Sequence, residues 1–510
     1  MDTNQAFVYF AIIAYMAMVL YIGYYCSKQN ENAGDFYLGG RRLGPVVTAM
    51  SAEASDMSSW LLLGIPGLTL FTGIADSFWT SFGLAIGTYL NWLFVASRLR
   101  RYSESIGAIT VPDFFARRFH DKSNSLLGIA ALVIIIFFIP YTASGFAACG
   151  KLFSSLFGIS YITGMMIGSV VIVAYTAMGG FLAASTSDLI QSIIMSLALV
   201  IIVFFGIELA GGWGAVESSA SIDGYISLTS MTDISTQKVS GYGFITIVST
   251  MAWGLGYFGM PHILLRFMAI EEPRRIPLSR RIATIWVVIA MGTAILIGVI
   301  GYAVIKAGVL PMFSSASDAE YLIIKLSGLL SQYNVVAAFI AGLVLAGILA
   351  CTMSTADSQL LAAASSVSEN IMKGVFGIRL SEKMTLLTAR LTVLDIAIIG
   401  VFIARDPASS VFRIVSFAWA GFGAAFGPVM LFALFWKRCN KWGALAGMFS
   451  GGVMIFVWKF LVRPLGGAWN IYELLPGFLV ASAAIVVVSL LTPAPEKEII
   501  DEFDAASRGE

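Results

Sequence analysis

VVTAMSAEASDMSSWLLLGIPG, residues 46–67, decides the fold. The stretch is long and apolar enough to cross a bilayer, yet it carries Glu53 and Asp56 near its middle. An ionised carboxylate at the centre of a membrane helix costs roughly 2.5–3.5 kcal/mol. Around the two acids stand the small residues Ser51, Ala52, Ala54, Ser55 and Ser58. Together they read as a polar, closely packed segment inside a helix bundle. Gly64, Pro66 and Gly67 then weaken the helix again. The alternative is a water-facing helix end whose carboxylates bind nothing.

The rest of the chain suits that reading. Of 510 residues, 58% are hydrophobic and 12% are charged, against about 25% charged in a soluble domain. Apolar stretches that are apolar all round, without alternation, exclude a β-barrel. We count thirteen candidate spans: 6–26, 45–71, 75–97, 125–152, 159–179, 187–209, 241–265, 282–305, 335–360, 386–404, 411–436, 442–459 and 474–492. The first is uncharged, too long for a cleaved signal peptide and without its basic flank, so it counts as a helix. With spans numbered in order, the loops after odd spans plus the C-terminal tail hold 23 Lys and Arg, and the other side holds 8. The positive-inside rule then puts the N-terminus outside and the C-terminus in the cytoplasm. The tail, residues 496–510, is acidic and is expected to be solvated.

Several function classes drop out. A net charge of +1 argues against a nucleic-acid partner. Cys26, Cys149, Cys351 and Cys439 form no CxxC pair and read as small buried hydrophobes; with two histidines, a His-rich metal or haem site is not expected. No P-loop offers an ATP-driven engine, no signalling domain is appended, and no catalytic cluster has enzyme-like spacing.

Span 7, MAWGLGYFGMPHILLRF, is interrupted like span 2: Gly254, Gly256 and Gly259 have little helix propensity and Pro261 lacks a donor. Unwound backbone at membrane depth persists where it lines a cavity. Trp253 and Tyr257, four apart, share a face if the segment is locally helical; they read as a ligand-facing pair or as a core aromatic pair. In span 9, Cys351, Ser354, Thr355 and Ser358 fall on one helical face and present three hydroxyls. Hydroxyl and carbonyl oxygens suit a small hard cation, while back-bonding to i−4 carbonyls is the plain alternative. Two interrupted segments five spans apart point to an inverted-repeat secondary transporter. Its parts would be an extra N-terminal helix and first cytoplasmic loop (1–44), five-helix repeats over 45–210 and 241–436, two C-terminal helices (437–495) and the tail. A channel or facilitator is the rival class.

FYLGGRRLGPVVTAMSAEASDMSSWLLLGIPG, PYTASGF, GGFLAASTSD, WGLGYFGMPHILLRFMA, CTMSTADSQLL and FAWAGFGAAFGP resemble the sodium:solute symporter family, in order, across spans 1 to 12. The resemblance implies an all-α polytopic membrane protein of about thirteen helices with a LeuT-type inverted-repeat core. It implies sodium-coupled import of L-proline, with another small amino acid or carboxylate as the alternative. It implies a multi-pass protein of a bacterial plasma membrane, the inner one in a Gram-negative cell. Sodium would be co-transported, held by carbonyls of Ala54, Met57 and Cys351 and hydroxyls of Ser354 and Thr355. Asp56 and Ser58 match positions important for sodium coupling, and Asp188 an acidic position linked to sodium handling. Tyr141, Trp253, Tyr257 and Pro261 match the substrate lining, and Trp60 and Met260 join that candidate set. Arg41 matches a basic position at the inner face of the pathway. Four residues depart from the family pattern: Glu53 and Ser59 stand for glycines, Met260 for a glutamine, and Asp395 is unexpected in span 10. Glu53 could charge the ion site, hold a proton, pair with the substrate amine or make a structural hydrogen bond. Asp395 could pair with a charge across the bundle.

Overall fold

The computed structural model describes residues 3–28, 33–378 and 381–508. Among these residues, nine helices are long and apolar enough to cross a membrane, and they cover spans 1, 4, 6 and 8 to 13. The other four expected stretches are helical as well, in shorter pieces. Hydroxyl and amide side chains start several helices by accepting a first-turn N–H: Ser160, Asn334, Ser410 and Asn440 do so before spans 5, 9, 11 and 12. Apolar side chains such as Phe10, Ile13, Phe204, Ile285, Phe402 and Leu490 point outward, a surface that only lipid or a partner covers.

Spans 5 and 6 have no loop between them. The helix Tyr161–Leu209 is continuous except at Gly180, whose φ of 66° and ψ of −169° lie outside the helical region and suit a residue without a Cβ. Tyr175 and Ser187 meet in a hydrogen bond. Twelve positions apart, they would be about 18 Å from each other in a straight helix, so the chain reverses there. This hairpin, span 1, span 4 and span 9 form one packed group. Span 7 packs on spans 3 and 11, and span 11 in turn on spans 4, 12 and 13. Two glycines make the approach of spans 3 and 7 possible: a Cβ on Gly87 would lie 2.3 Å from the carbonyl oxygen of Gly254.

One reading from sequence needs correction, and one open alternative is decided. The acidic tail is not free in solvent: Lys497–Arg508 is a helix whose Ile499, Phe503 and Ala506 are buried. Phe503 lies 5.0 Å from the Arg118 guanidinium and Glu502 meets His120 at 3.0 Å, so the amphipathic spacing of the tail, not its charge, decides its state. Asp395 does not pair across the bundle; it is exposed on the helix Glu382–Ile403 and has no ion pair among the described residues. The loop 210–240 runs into an antiparallel pair, Ser230–Asp233 with Lys238–Gly241, and the loop 307–334 holds two short helices.

Candidate ion and substrate site

The helix Pro45–Asp56 stops because Met57 takes φ −75° and ψ 67°. The N–H of Ser58 then turns to the carbonyl of Asp56 at 2.8 Å and not to that of Ala54, four residues back. Leu61 bonds back to Ser58 at 3.0 Å and the chain rewinds through a wide turn, Trp60–Gly64, into Ile65–Thr72. The break therefore frees the Ala54 carbonyl. It is satisfied from span 9, where Ser354 Oγ donates to it at 2.8 Å. Ser354 Oγ also reaches the Cys351 carbonyl at 3.2 Å, and Thr355 Oγ1 reaches the same oxygen at 3.2 Å. Only the Ser354–Ala54 bond crosses between the two helices; those to Cys351 are back-bonds within span 9, the plain alternative for these hydroxyls, and all four groups are buried. They are hard neutral oxygens, the ligand class of a small cation. Met57 supplies the non-helical backbone, and Ser58 lies buried beside it.

The two acids of span 2 have different partners. Asp56 Oδ2 accepts the Tyr257 hydroxyl, and its Oδ1 is buried without a partner among the described residues. Glu53 faces span 3: its Oε1 accepts Thr88 Oγ1 at 2.9 Å and Trp92 Nε1 at 3.1 Å, and its Oε2 is buried without a partner. Of the four roles open to Glu53, the structure contains the hydrogen bond to a neighbouring helix. Asp188 sits in a separate network. Its Oδ2 accepts Ser51 Oγ at 2.6 Å and Arg266 at 3.2 Å, and the same arginine nitrogen donates to Ser358 Oγ at 2.6 Å. Ser358 also donates to Asp357 at 3.1 Å.

Beyond the break lies a cluster of aromatic rings. Span 7 winds as a tight 3₁₀ helix over Ala252–Gly259, Met260 is extended, and Pro261 opens the next helix. Trp60 and Trp253 lie 6.2 Å apart. Trp419 of span 11 meets Trp253 at 6.1 Å and stands edge-on to Tyr257 at 5.2 Å, with its indole N–H donating to the Trp253 carbonyl at 2.8 Å. The Tyr141 hydroxyl donates to the Asp56 carbonyl at 3.4 Å, which ties these rings to the break in span 2. Met260 and Pro261 are buried where the two halves of span 7 meet.

Arg41 lies away from this cluster, at the far end of the helix Pro261–Ala269 that follows the break. It takes a left-handed φ of 56°. From there it donates to the carbonyls of Met268 at 2.5 Å and Ala108 at 2.6 Å, and to Ser103. Beside it the Leu43 N–H donates to the Ala269 carbonyl at 3.2 Å and the Leu43 carbonyl accepts the Glu271 N–H at 2.9 Å. The loop before span 2 is thereby fastened to the end of span 7.

The structure joins Ala54 to Ser354, Ser354 and Thr355 to Cys351, Asp56 to Tyr257 and Tyr141, and Trp60 to Trp253; Glu53 turns to span 3, and Arg41 and Asp188 stand apart in networks of their own. Sequence reasoning missed Trp419, Arg266, Asp357, Thr88 and Trp92. Arg266 was counted with the loop that follows span 7, directly after residue 265, yet the helix Pro261–Ala269 carries it in buried. Trp419 lay in a recognised motif, but nothing local told that it would face Trp253.

A family model, the sodium:solute symporter family, matches residues 36–451. The chain is 41% identical to the osmoregulated proline transporter OpuE of Bacillus subtilis over 487 residues, 95% of this chain and 94% of the relative. It is 41% identical to the sodium/proline symporter of Haemophilus influenzae over 500 residues, 97% of this chain and 96% of the relative. A solved sodium-coupled sialic acid symporter, substrate-bound and outward-open, superposes with a TM-score of 0.78 at 18% identity, covering 96% of this chain and 99% of that one. That likeness concerns the fold.

Proposed function

Since the chain belongs to the sodium:solute symporter family, we propose that it is a secondary active symporter importing L-proline with sodium by alternating access. The observation that carries this reading is the Ala54 carbonyl, released by the break in span 2 and met by the Ser354 hydroxyl of span 9 at 2.8 Å. A sodium ion takes the place of the hydroxyl hydrogens there: Ser354 and Thr355 turn their lone pairs to it, and the carbonyls of Ala54, Met57 and Cys351 complete the oxygen set. Asp56 lends negative charge next to the ion, and Ser58 holds the break. Glu53 and Asp188 act at a distance, the first by tying span 2 to span 3, the second by compensating Arg266.

The proline carboxylate goes to N–H groups left free by the interrupted helices. The ring and imino nitrogen go to Tyr141, Trp253, Tyr257 and Trp60, by apolar contact and cation–π attraction. Pro261 and Met260 close the far side. Sodium joins the two halves of the site across spans 2 and 9 and so favours the form that receives substrate. The bundle then rocks and opens inward, where Arg41 and the Leu43–Ala269 tie form the inner gate. The five-helix repeats run over 45–210 and 241–436, with the N-terminus outside and the C-terminus in the cytoplasm of a bacterium.

The driving force suffices. One charge crossing 100 mV yields about 2.3 kcal/mol, and a tenfold sodium gradient about 1.4 kcal/mol. One-to-one coupling then sustains roughly 500-fold accumulation. The test is radiolabelled proline uptake into proteoliposomes with and without an inward sodium gradient, with Asp56→Asn and Thr355→Ala alongside. Sodium-dependent uptake lost in both variants supports the reading. Sodium-dependent tryptophan fluorescence without proline uptake keeps the symporter and removes proline.

A further inference from the structure

Trp253 has few means of holding its own orientation. It sits near the start of the 3₁₀ segment Ala252–Gly259, directly before Gly254, and rings pack on it from several sides. Trp60, Phe412 and Trp419 meet it tilted by 35°, 32° and 31°. The ring nearest to parallel belongs to Tyr472, at 5.2 Å and 18°. Tyr472 is not part of either five-helix repeat. It lies in the connection between spans 12 and 13, where Leu465 is 71% and Trp469 53% exposed while Tyr472 is 7% exposed. The chain dips inward there for two residues.

Both are held from several sides. The Tyr472 N–H donates to Ser249 Oγ of span 7 at 2.6 Å, and its hydroxyl donates to the Ser416 carbonyl of span 11 at 2.6 Å. Glu473, next in the chain and fully buried, pairs with Arg463 at 2.8 Å and Lys459 at 3.4 Å. Fixing a side chain this thoroughly costs conformational freedom, and among the described residues its ring contact is with Trp253. From this geometry we infer that Tyr472 is a positioning residue of the substrate site, setting the plane of the Trp253 indole and so the affinity for a ring-bearing zwitterion. The inference rests on the reading of Trp253 as substrate lining. The C-terminal helices are then a working part of the site, not an addition to it.

The test measures KM and maximal rate of sodium-driven proline uptake in proteoliposomes for Tyr472→Met, Tyr472→Phe and Trp253→Phe. Tyr472→Met keeps apolar bulk and removes the ring; its KM rises at least fivefold while the maximal rate stays within twofold. Tyr472→Phe keeps the ring and loses only the bond to Ser416; its KM stays within twofold of the native value. An unchanged KM in Tyr472→Met, or an equal loss in the Met and Phe variants, overturns the inference. Trp253→Phe separates the premises: if it raises KM and Tyr472→Met does not, Tyr472 alone is misassigned, and if neither does, the aromatic site is. Should Tyr472→Met fail to fold, Ser249→Ala loosens the same segment; at least a threefold rise in KM is expected, and a native KM refutes the assignment.

Discussion

Arg266 and Asp188 pair at 3.2 Å with both side chains withdrawn from solvent, 1% and 0% exposed. One arginine nitrogen serves Asp188 on span 6 and Ser358 on span 9 while the residue itself belongs to span 7. Breaking a buried pair from one side leaves a naked charge and typically costs about 3–5 kcal/mol. Arg266→Leu strands Asp188 with Asp357 close by, so it is expected to unfold at a markedly lower temperature than native protein. Asp188→Asn keeps a hydrogen-bonding partner for the arginine and loses less. Thermal unfolding in detergent, followed by size-exclusion profile, gives the order; an Arg266→Leu protein as stable as native would contradict it.

Ser354→Ala removes the hydroxyl that faces the Ala54 carbonyl. One lost oxygen ligand at about 1.4 kcal/mol corresponds to a tenfold weaker ion. The sodium concentration giving half-maximal proline uptake therefore rises about tenfold, and Ser354→Thr restores most of it. A sodium titration of uptake decides the matter.

Gly87→Ala and Gly254→Ala each place a methyl against a backbone carbonyl oxygen, at 2.3 and 2.1 Å. Backbone cannot swing away as a side chain does, so spans 3 and 7 must separate. Both variants are expected to lose most of their folded yield. Gly241→Ala meets nothing within 4 Å and serves as the neutral control. Yield of monodisperse protein is the readout.

Asp121 lies in the loop before span 4. Burial pushes its carboxyl up, but Lys441 at 2.7 Å, the Leu126 N–H at 2.7 Å and Ser123 outweigh that and hold it below the usual carboxylate range. A depressed folded value stabilises above the unfolded value, about 3.9, and the benefit fades as pH falls through the folded one. Native protein should therefore exceed Asp121→Asn in stability by a constant margin from pH 8 to 5, with the gap closing only below about pH 4. A margin already shrinking at pH 6 would rule this out.

Much of this was readable in the chain. The carboxylates in span 2, the glycines and proline of span 7 and the hydroxyl face of span 9 marked the three elements that meet, because each breaks a rule that a plain membrane helix obeys. The partners supplied from a distance were not readable. Trp419 and Tyr472 look like ordinary interior aromatics until the rings around Trp253 are assembled. Thr88 and Trp92 become the partners of Glu53 only through the packing of span 3. Asp395 was open to a partner across the bundle or to none, and it faces outward.

The reversal at Gly180 bears on how the protein is made. With no connecting loop, spans 5 and 6 cannot be released into the bilayer one after the other as independent units. They have to partition together as a helical hairpin, closed by the Tyr175–Ser187 bond. The second arm brings Asp188 with it, and the arginine that neutralises this acid is translated some eighty residues later. During synthesis the nascent chain therefore carries an uncompensated acid until span 7 arrives, and the insertion machinery must shelter that hairpin from lipid in the meantime.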